Sequence, residues 1–237
     1  MNSLELIAEN IKNKNLDKAL ELCKLNENSN DKSIIYNFIG VIHFMKKNLA
    51  EAEKFFLKVI EIDDKFQDPI RNLCVIYTIS KKFKELLNYS TKLYYLDNKN
   101  PLNIFQIGSA NELNKNYDEA IKYYETYINT DGSDKKRGFN NIGNIFLRKG
   151  KPKTSVKYFS KALELDNNNK ILINNILLCY LSLRDESKAE EFFKKAETID
   201  SNYTEFLHNK AEFLILKNQL QEAEKILENN KGITKFL

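Results

Sequence analysis

Residues 139–166 read FNNIGNIFLRKGKPKTSVKYFSKALELD. Phe139, Ile142, Gly143 and Phe146 recur at i, i+3, i+4 and i+7, which is one face of an α-helix. Beyond Gly150 the residues Ser155, Phe159, Ala162 and Leu163 recur at i, i+4, i+7 and i+8, so a second amphipathic helix follows a tight turn. Neither helix can bury its apolar face alone. A hairpin of this kind needs copies of itself to stack on.

The copies are present. The small residue that opens the second helix recurs as Ala19, Ala52, Leu86, Ala120, Ser155, Ala189 and Ala223, with spacings of 33, 34, 34, 35, 34 and 34 residues. Seven units tile the chain: 1–32, 33–66, 67–100, 101–134, 136–169, 170–203 and 204–237, with Lys135 as one extra residue. The expected organisation is therefore a single array over 1–237. The third unit deviates most, with Ser90 where an aromatic stands in its neighbours.

Composition agrees. Apolar residues make up 42% of the chain, enough for a continuous core, and only 7 Gly and 3 Pro interrupt 237 residues. The net charge of +4 is small for this length, which argues against nucleic acid and an anionic membrane as partners. No stretch approaches the roughly 18 apolar residues of a membrane span, and the N-terminus lacks the unbroken apolar run of a signal peptide. Cys23, Cys74 and Cys179 are far apart and form no C-x-x-C pair, so they read as small core residues in a reducing, cytoplasmic protein rather than as a metal or redox site.

The pattern resembles the tetratricopeptide repeat (TPR) family over essentially the full length. Phe139, Ile142, Gly143 and Phe146 match the first-helix signature, and Ser155, Phe159 and Ala162 the second. The Leu/Ile–Asp pair that closes each unit recurs as Ile62–Asp63, Leu96–Asp97, Leu165–Asp166 and Ile199–Asp200, without the Pro that frequently follows it in the family. The resemblance implies an all-α fold, a right-handed α-α superhelix (TPR solenoid) of about 14 antiparallel helices. It also implies a non-catalytic interaction scaffold that binds peptides on its inner, concave surface.

Turn chemistry supports the same reading. Asn48 and Asn116 stand at N-cap positions with Glu51 and Glu119 three residues on, a capping-box arrangement, and Asn15 and Asp185 offer the cap alone. Pro152 falls at a first helical position, where its missing N–H costs nothing. Gly143 is needed for close helix approach, so Gly143→Leu is expected to cost on the order of 1–3 kcal/mol. Residues 131–138, DGSDKKRG, read as a solvated loop between repeats, or as a flexible joint between units one to four and five to seven.

Phase selects candidate binding residues. The position just before the core Leu/Ile of the first helix reads Asn72, Gln106, Asn141, Asn175 and Asn209. A side-chain amide offers both a donor and an acceptor, so a row of them suits a peptide backbone of any sequence. Rungs roughly 10 Å apart would meet an extended peptide at roughly every third residue. Beside them stand Asn37, Arg71, Asn140, Asn144, Arg148 and Asn174, and an acidic or phosphorylated segment would suit the amides and basic residues of units five and six. The family's carboxylate clamp is not expected, because Asn140, Glu205 and Asn209 replace its Lys and Arg positions.

No Walker loop, GxGxxG, HExxH or GxSxG occurs. His43 reads as a core residue, and His208 has no catalytic partner set by the sequence. The expectation is therefore no catalysis, no cofactor and no metal. Two alternatives stay open. One is a substrate-recognition module working with a separate glycosyltransferase or sulfotransferase, as in related architectures. The other is a scaffold that homodimerises through its C-terminal end, where Ile233, Phe236 and Leu237 are apolar.

Overall fold

The computed structural model describes residues 2–229, and these form fourteen α-helices. They are α1 (Ser3–Lys12), α2 (Leu16–Leu25), α3 (Lys32–Met45), α4 (Leu49–Ile62), α5 (Gln67–Ile79), α6 (Phe83–Leu96) and α7 (Pro101–Leu113). Then follow α8 (Tyr117–Ile128), α9 (Lys135–Arg148), α10 (Pro152–Glu164), α11 (Lys170–Ser182), α12 (Glu186–Ile199), α13 (Thr204–Leu216) and α14 (Leu220–Asn229). There is no strand among the described residues. Within each compact unit the odd-numbered helix packs on the even-numbered helix that follows it, as α1 on α2, α3 on α4, α5 on α6, α9 on α10, α11 on α12 and α13 on α14, giving the helix hairpins expected of a TPR solenoid. None of the helices is long and apolar enough to cross a membrane.

The turn inside each hairpin is the same device seven times. Lys14, Lys47, Lys81, Lys115, Arg184 and Asn218 have φ of 54–62°, and Gly150 has φ of 66°. The next backbone N–H then reaches back five residues, as in Asn48 N to His43 O (2.9 Å), Lys82 N to Tyr77 O (2.9 Å) and Lys151 N to Phe146 O (2.9 Å). The left-handed residue donates three residues back, from Lys47 N to Phe44 O and from Lys81 N to Thr78 O. That pair of bonds is the Schellman motif, which satisfies the last carbonyls of a helix and reverses the chain.

Capping follows the sequence at some sites and departs at others. Asn48 accepts from Glu51 N (3.4 Å), Asp185 accepts from Lys188 N (3.1 Å), and Pro152 opens α10. Asn15 makes no cap; its side chain donates to Asn10 Oδ1 at 3.5 Å. A reciprocal capping box joins Asn2 and Glu5, with bonds of 2.9 and 2.8 Å.

Segment 131–138 is not a loop throughout. Asp134 caps α9 by accepting from Arg137 N (3.1 Å), so the basic run begins the helix, and the turn proper ends at Asp134, after Gly132 with φ of 75°. A carboxylate at the N-cap outweighs the loop tendency of the flanking glycines. Gly138 lies inside α9, packed against Ile128 of α8.

The chain forms two compact units, residues 1–120 and 121–237, divided in the first turn of α8. In the first, Ile7, Ala19, Cys23 and Ile39 make one apolar cluster, and Phe56, Leu73, Cys74 and Leu86 another. In the second, Phe159, Ile173, Ile176, Cys179 and Phe206 fill the core. All three cysteines are free and buried, and burial pushes their thiols up, to about 12 for Cys23 and Cys179 and about 11 for Cys74. Thiolate reactivity is suppressed accordingly. Ser90 is fully buried with its Oγ 3.6 Å from Cys74 Sγ, which explains the missing aromatic of the third unit. The apolar C-terminal residues Ile233, Phe236 and Leu237 lie outside the described residues.

Candidate functional site

The odd-numbered helices each bury their apolar residues and leave a strip that is not buried. In α5 the buried side carries Ile70, Leu73, Cys74, Ile76 and Tyr77. The open strip is Asp68, Arg71, Asn72, Val75 and Ile79, at i, i+3, i+4, i+7 and i+11. Arg71 and Asn72 are the candidate binding residues on this strip.

In the first unit Asn37, Asn72 and Gln106 are half-buried on α3, α5 and α7. Neither Asn72 nor Gln106 makes a side-chain hydrogen bond among the described residues, and Asn37 Oδ1 is buried without a partner there. Arg71 is committed to its neighbours instead. Its Nη1 pairs with Asp68 Oδ1 (3.0 Å), and its Nη2 donates to Gln67 Oε1 (2.6 Å) and to Asn103 Oδ1 of α7 (3.4 Å). Asn103 is buried and donates to Leu93 O and Asp97 O, both at 3.1 Å. It therefore ties α7 to the end of α6, and Arg71 ties α5 to α7. Asn103 was not singled out from the sequence, because its partners belong to the preceding repeat.

In the second unit Asn140, Asn141, Asn144 and Asn175 are half-buried and Arg148 is exposed. Asn141 and Asn144 make no side-chain hydrogen bond among the described residues, and Asn175 Nδ2 lies 3.5 Å from Asn140 Oδ1. Asn174 and Asn209 correct the expectation for them. They are 3% and 4% exposed, too covered to meet a ligand. Asn209 Nδ2 donates to Asn174 O (3.1 Å) and Oδ1 (3.3 Å), and Asn174 Nδ2 donates to Lys170 O (2.9 Å). Lys210 is half-buried where Ile142 and Ile176 fill the core of the earlier repeats, and α13 buries Phe206, Asn209 and Ala211.

A shallow cavity of about 190 Å³ opens beside this strip, lined by Lys136, Arg137, Asn140 and Asn169 among others. Lys136 Nζ pairs with Asp166 Oδ2 at 2.9 Å; the bonds from Asn169 and Lys136 hold the Asp166 carboxyl below its ordinary value, and the same pair raises the Lys136 ammonium. His43 is half-buried and stacked on Phe55, with centroids 5.8 Å apart. His208 Nε2 lies 3.3 Å from Glu212 Oε1. Among the described residues no group of three or more His, Cys, Asp and Glu could hold a metal ion.

Comparison with known proteins gives the same repeat. The tetratricopeptide repeat model matches residues 34–66, 103–134, 137–169 and 172–203, more than half of the chain. The type IV pilus assembly protein PilF of Pseudomonas aeruginosa is 26% identical over 134 residues, 56% of this chain and 53% of that protein. The chain spans 14–53% of the length of the curated relatives it matches. Among solved structures, the C-terminal part of a TPR repeat-containing protein from Cytophaga hutchinsonii superposes with a TM-score of 0.76 at 16% identity, covering 99% of this chain and 96% of that one. YrrB, described as a TPR protein with an unusual peptide-binding site, superposes with a TM-score of 0.64 at 19% identity, covering 79% of this chain and 96% of that one. At these identities the two solved structures establish the shared fold alone.

Proposed function

Because the chain belongs to the tetratricopeptide repeat family, we propose that it is a protein-interaction scaffold whose open first-helix strips bind an extended peptide segment of a partner protein. The observation that carries this reading is the set of unbonded amides. Asn72, Gln106, Asn141 and Asn144 stand half-exposed on these strips with no internal hydrogen bond among the described residues. Each can both donate to a peptide carbonyl and accept from a peptide N–H. Asn175 and Asn140, bonded to each other, stand beside the set, and Arg148 adds a positive charge at the edge of α9. Asn174, Asn209 and Arg71 hold repeats together and take no direct part.

The binding mode needs no catalytic group, and the matched family model describes a repeat rather than a catalytic domain. YrrB shares the fold and is described as peptide-binding, which is consistent with the same use here. The free, buried cysteines favour a reducing, cytoplasmic setting.

The test is recovery of partners from a lysate by the wild type and by Asn141→Ala/Asn144→Ala. Neither side chain holds the fold together, so the variant should melt like the wild type and recover less partner. Equal recovery by two equally stable proteins would remove the amides from the binding role.

A further inference from the structure

Five repeats close on an aspartate at the same position: Asp63, Asp97, Asp131, Asp166 and Asp200. In four of them the carboxylate is held. Asp63 accepts from Lys65 N (3.0 Å), and Asp97 accepts from Lys99 N (3.1 Å) and Asn100 N (3.2 Å). Asp166 accepts from Lys136 Nζ and Asn169 Nδ2, both at 2.9 Å, and Asp200 from Lys170 Nζ (2.9 Å) and Asn202 N (3.2 Å). Asp131 is exposed, and its carboxylate has no partner among the described residues. It is also the aspartate of the five that precedes a glycine; Asp64, Asn98, Asn167 and Ser201 follow the others. The sequence holds no other Asp-Gly pair and no Asn-Gly pair. The backbone makes the same distinction. Asp131 and Gly132 are the central residues of a turn closed by Ser133 N to Thr130 O (3.3 Å). Gly132 has φ of 75°, as a type II turn requires at its third position. Its N–H makes no hydrogen bond among the described residues, and no atom lies within 4 Å of where a Cβ would stand. An unbonded main-chain nitrogen with no Cβ beside it thus directly follows an unbonded carboxylate.

We propose that Asp131–Gly132 is a modification site, at which the chain isomerises spontaneously to isoaspartate. The Gly132 nitrogen attacks Cγ of Asp131. The new N–Cγ bond closes a succinimide ring, and one carboxyl oxygen leaves as water with the amide proton and the carboxyl proton. Water then opens the ring. Addition at Cγ breaks the new bond and restores aspartate. Addition at the main-chain carbonyl carbon of Asp131 breaks its bond to the Gly132 nitrogen instead. The chain then runs through Cγ, and the α-carboxylate is set free on the exposed turn. One water is lost and one regained, and nothing is oxidised or reduced. The isoaspartyl turn is one backbone atom longer. Its far end is held, because Asp134 N donates to Tyr127 Oη (2.9 Å) and Asp134 Oδ1 accepts from Arg137 N (3.1 Å). The added length therefore falls between Thr130 and Asp134.

The test is incubation of the full chain for several weeks at neutral pH in heavy-oxygen water, followed by tryptic mapping in ordinary water. Trypsin releases residues 123–135 as one peptide. The expected result is a second chromatographic form of that peptide carrying one heavy oxygen. An aspartate-specific endoproteinase should no longer cut it before residue 131 and should still cut it before residue 134. Asp131→Glu lengthens the side chain beyond a five-membered ring and should abolish the second form. Gly132→Ala puts a Cβ beside the attacking nitrogen and should slow its appearance by about tenfold. A synthetic peptide of residues 123–135 gives the rate without the fold, and the folded chain should come within about tenfold of it. Four results would overturn the proposal. They are no second form, equally fast uptake at Asp63, Asp97, Asp166 or Asp200, an unchanged rate in Gly132→Ala, or a folded chain slower than the peptide by more than that margin. The last would mean that the turn shields the pair.

Discussion

Replacing Gly143 with alanine sets two opposed effects against each other at one buried point. In a helix interior, glycine to alanine is worth about 1 kcal/mol in favour of alanine. At this site the new Cβ would stand 2.5 Å from Phe159 Cε1 and 2.6 Å from Cδ1, where carbon atoms pack best at about 3.5–4.0 Å. Phe159 is fully buried and cannot swing into solvent. Overpacking of this kind costs about 1–3 kcal/mol, so the net expectation is a loss of up to about 2 kcal/mol. For a chain of this size each kcal/mol moves the melting temperature by about 2–4 °C. Gly143→Leu, with three more carbons, should lose more. The decisive measurement is a double-mutant cycle with Phe159→Leu, followed by urea unfolding and far-UV circular dichroism. Trimming the ring removes the clash, so the two changes should couple favourably by about 0.5–3 kcal/mol. A Gly143→Ala variant more stable than wild type, with no coupling to Phe159→Leu, would mean that α9 and α10 do not meet at this point and that the repeat register is wrong.

Other sites give sharper one-sided expectations. Lys81→Gly should raise stability by about 0.5–1 kcal/mol, because Lys81 sits at φ of 56°, a conformation that costs a side chain and costs glycine little; thermal melts check this. Asn209→Ala should lose about 1–3 kcal/mol by leaving the carbonyls of Asn174 short of a donor, and should leave peptide affinity unchanged once measured on folded protein. The Glu191 carboxyl is held down to about 2 by hydrogen bonds from Lys188 and then Lys195. Its folded value lies below the ordinary 4.5, so its contribution to stability is present above that range and is lost as the pH falls towards 2. Carboxyl NMR titration should show this, and Lys188→Gln/Lys195→Gln should return the carboxyl to the ordinary range.

Much of the fold is legible in the sequence because hairpin spacing is a local property. The seven small residues from Ala19 to Ala223 announce the second helices, and Gly143 with Phe159 announces their closest approach. What the sequence conceals depends on neighbours. Phase puts Asn209 level with Asn141 and Asn175, but its amide is buried and bonded to Asn174 of the preceding repeat. Arg71 reads as a surface cation until Asp68 and Asn103 are seen beside it. The basic run after Ser133 reads as loop because the cap that claims it is a single aspartate. The exposed aliphatics of α5 are hidden in the sequence for a different reason. Val75 and Ile79 suit a core as well as a surface, and only their exposure separates the two.

The hydrogen bonds that cross from one repeat to the next have a consequence for how such a chain can evolve. Every hairpin closes with its own backbone turn, so the repeats are alike as isolated blocks and could multiply by duplication. The crossing bonds are of two kinds: Arg71 on α5 reaches Asn103 on α7, whereas Asn209 reaches back to Asn174 as Asn175 does to Asn140. The second kind recurs from one joint to the next and would survive a duplication, because each copy brings both partners. The first needs an arginine and an asparagine in neighbouring repeats, so a rearranged gene would keep its hairpins and lose that joint.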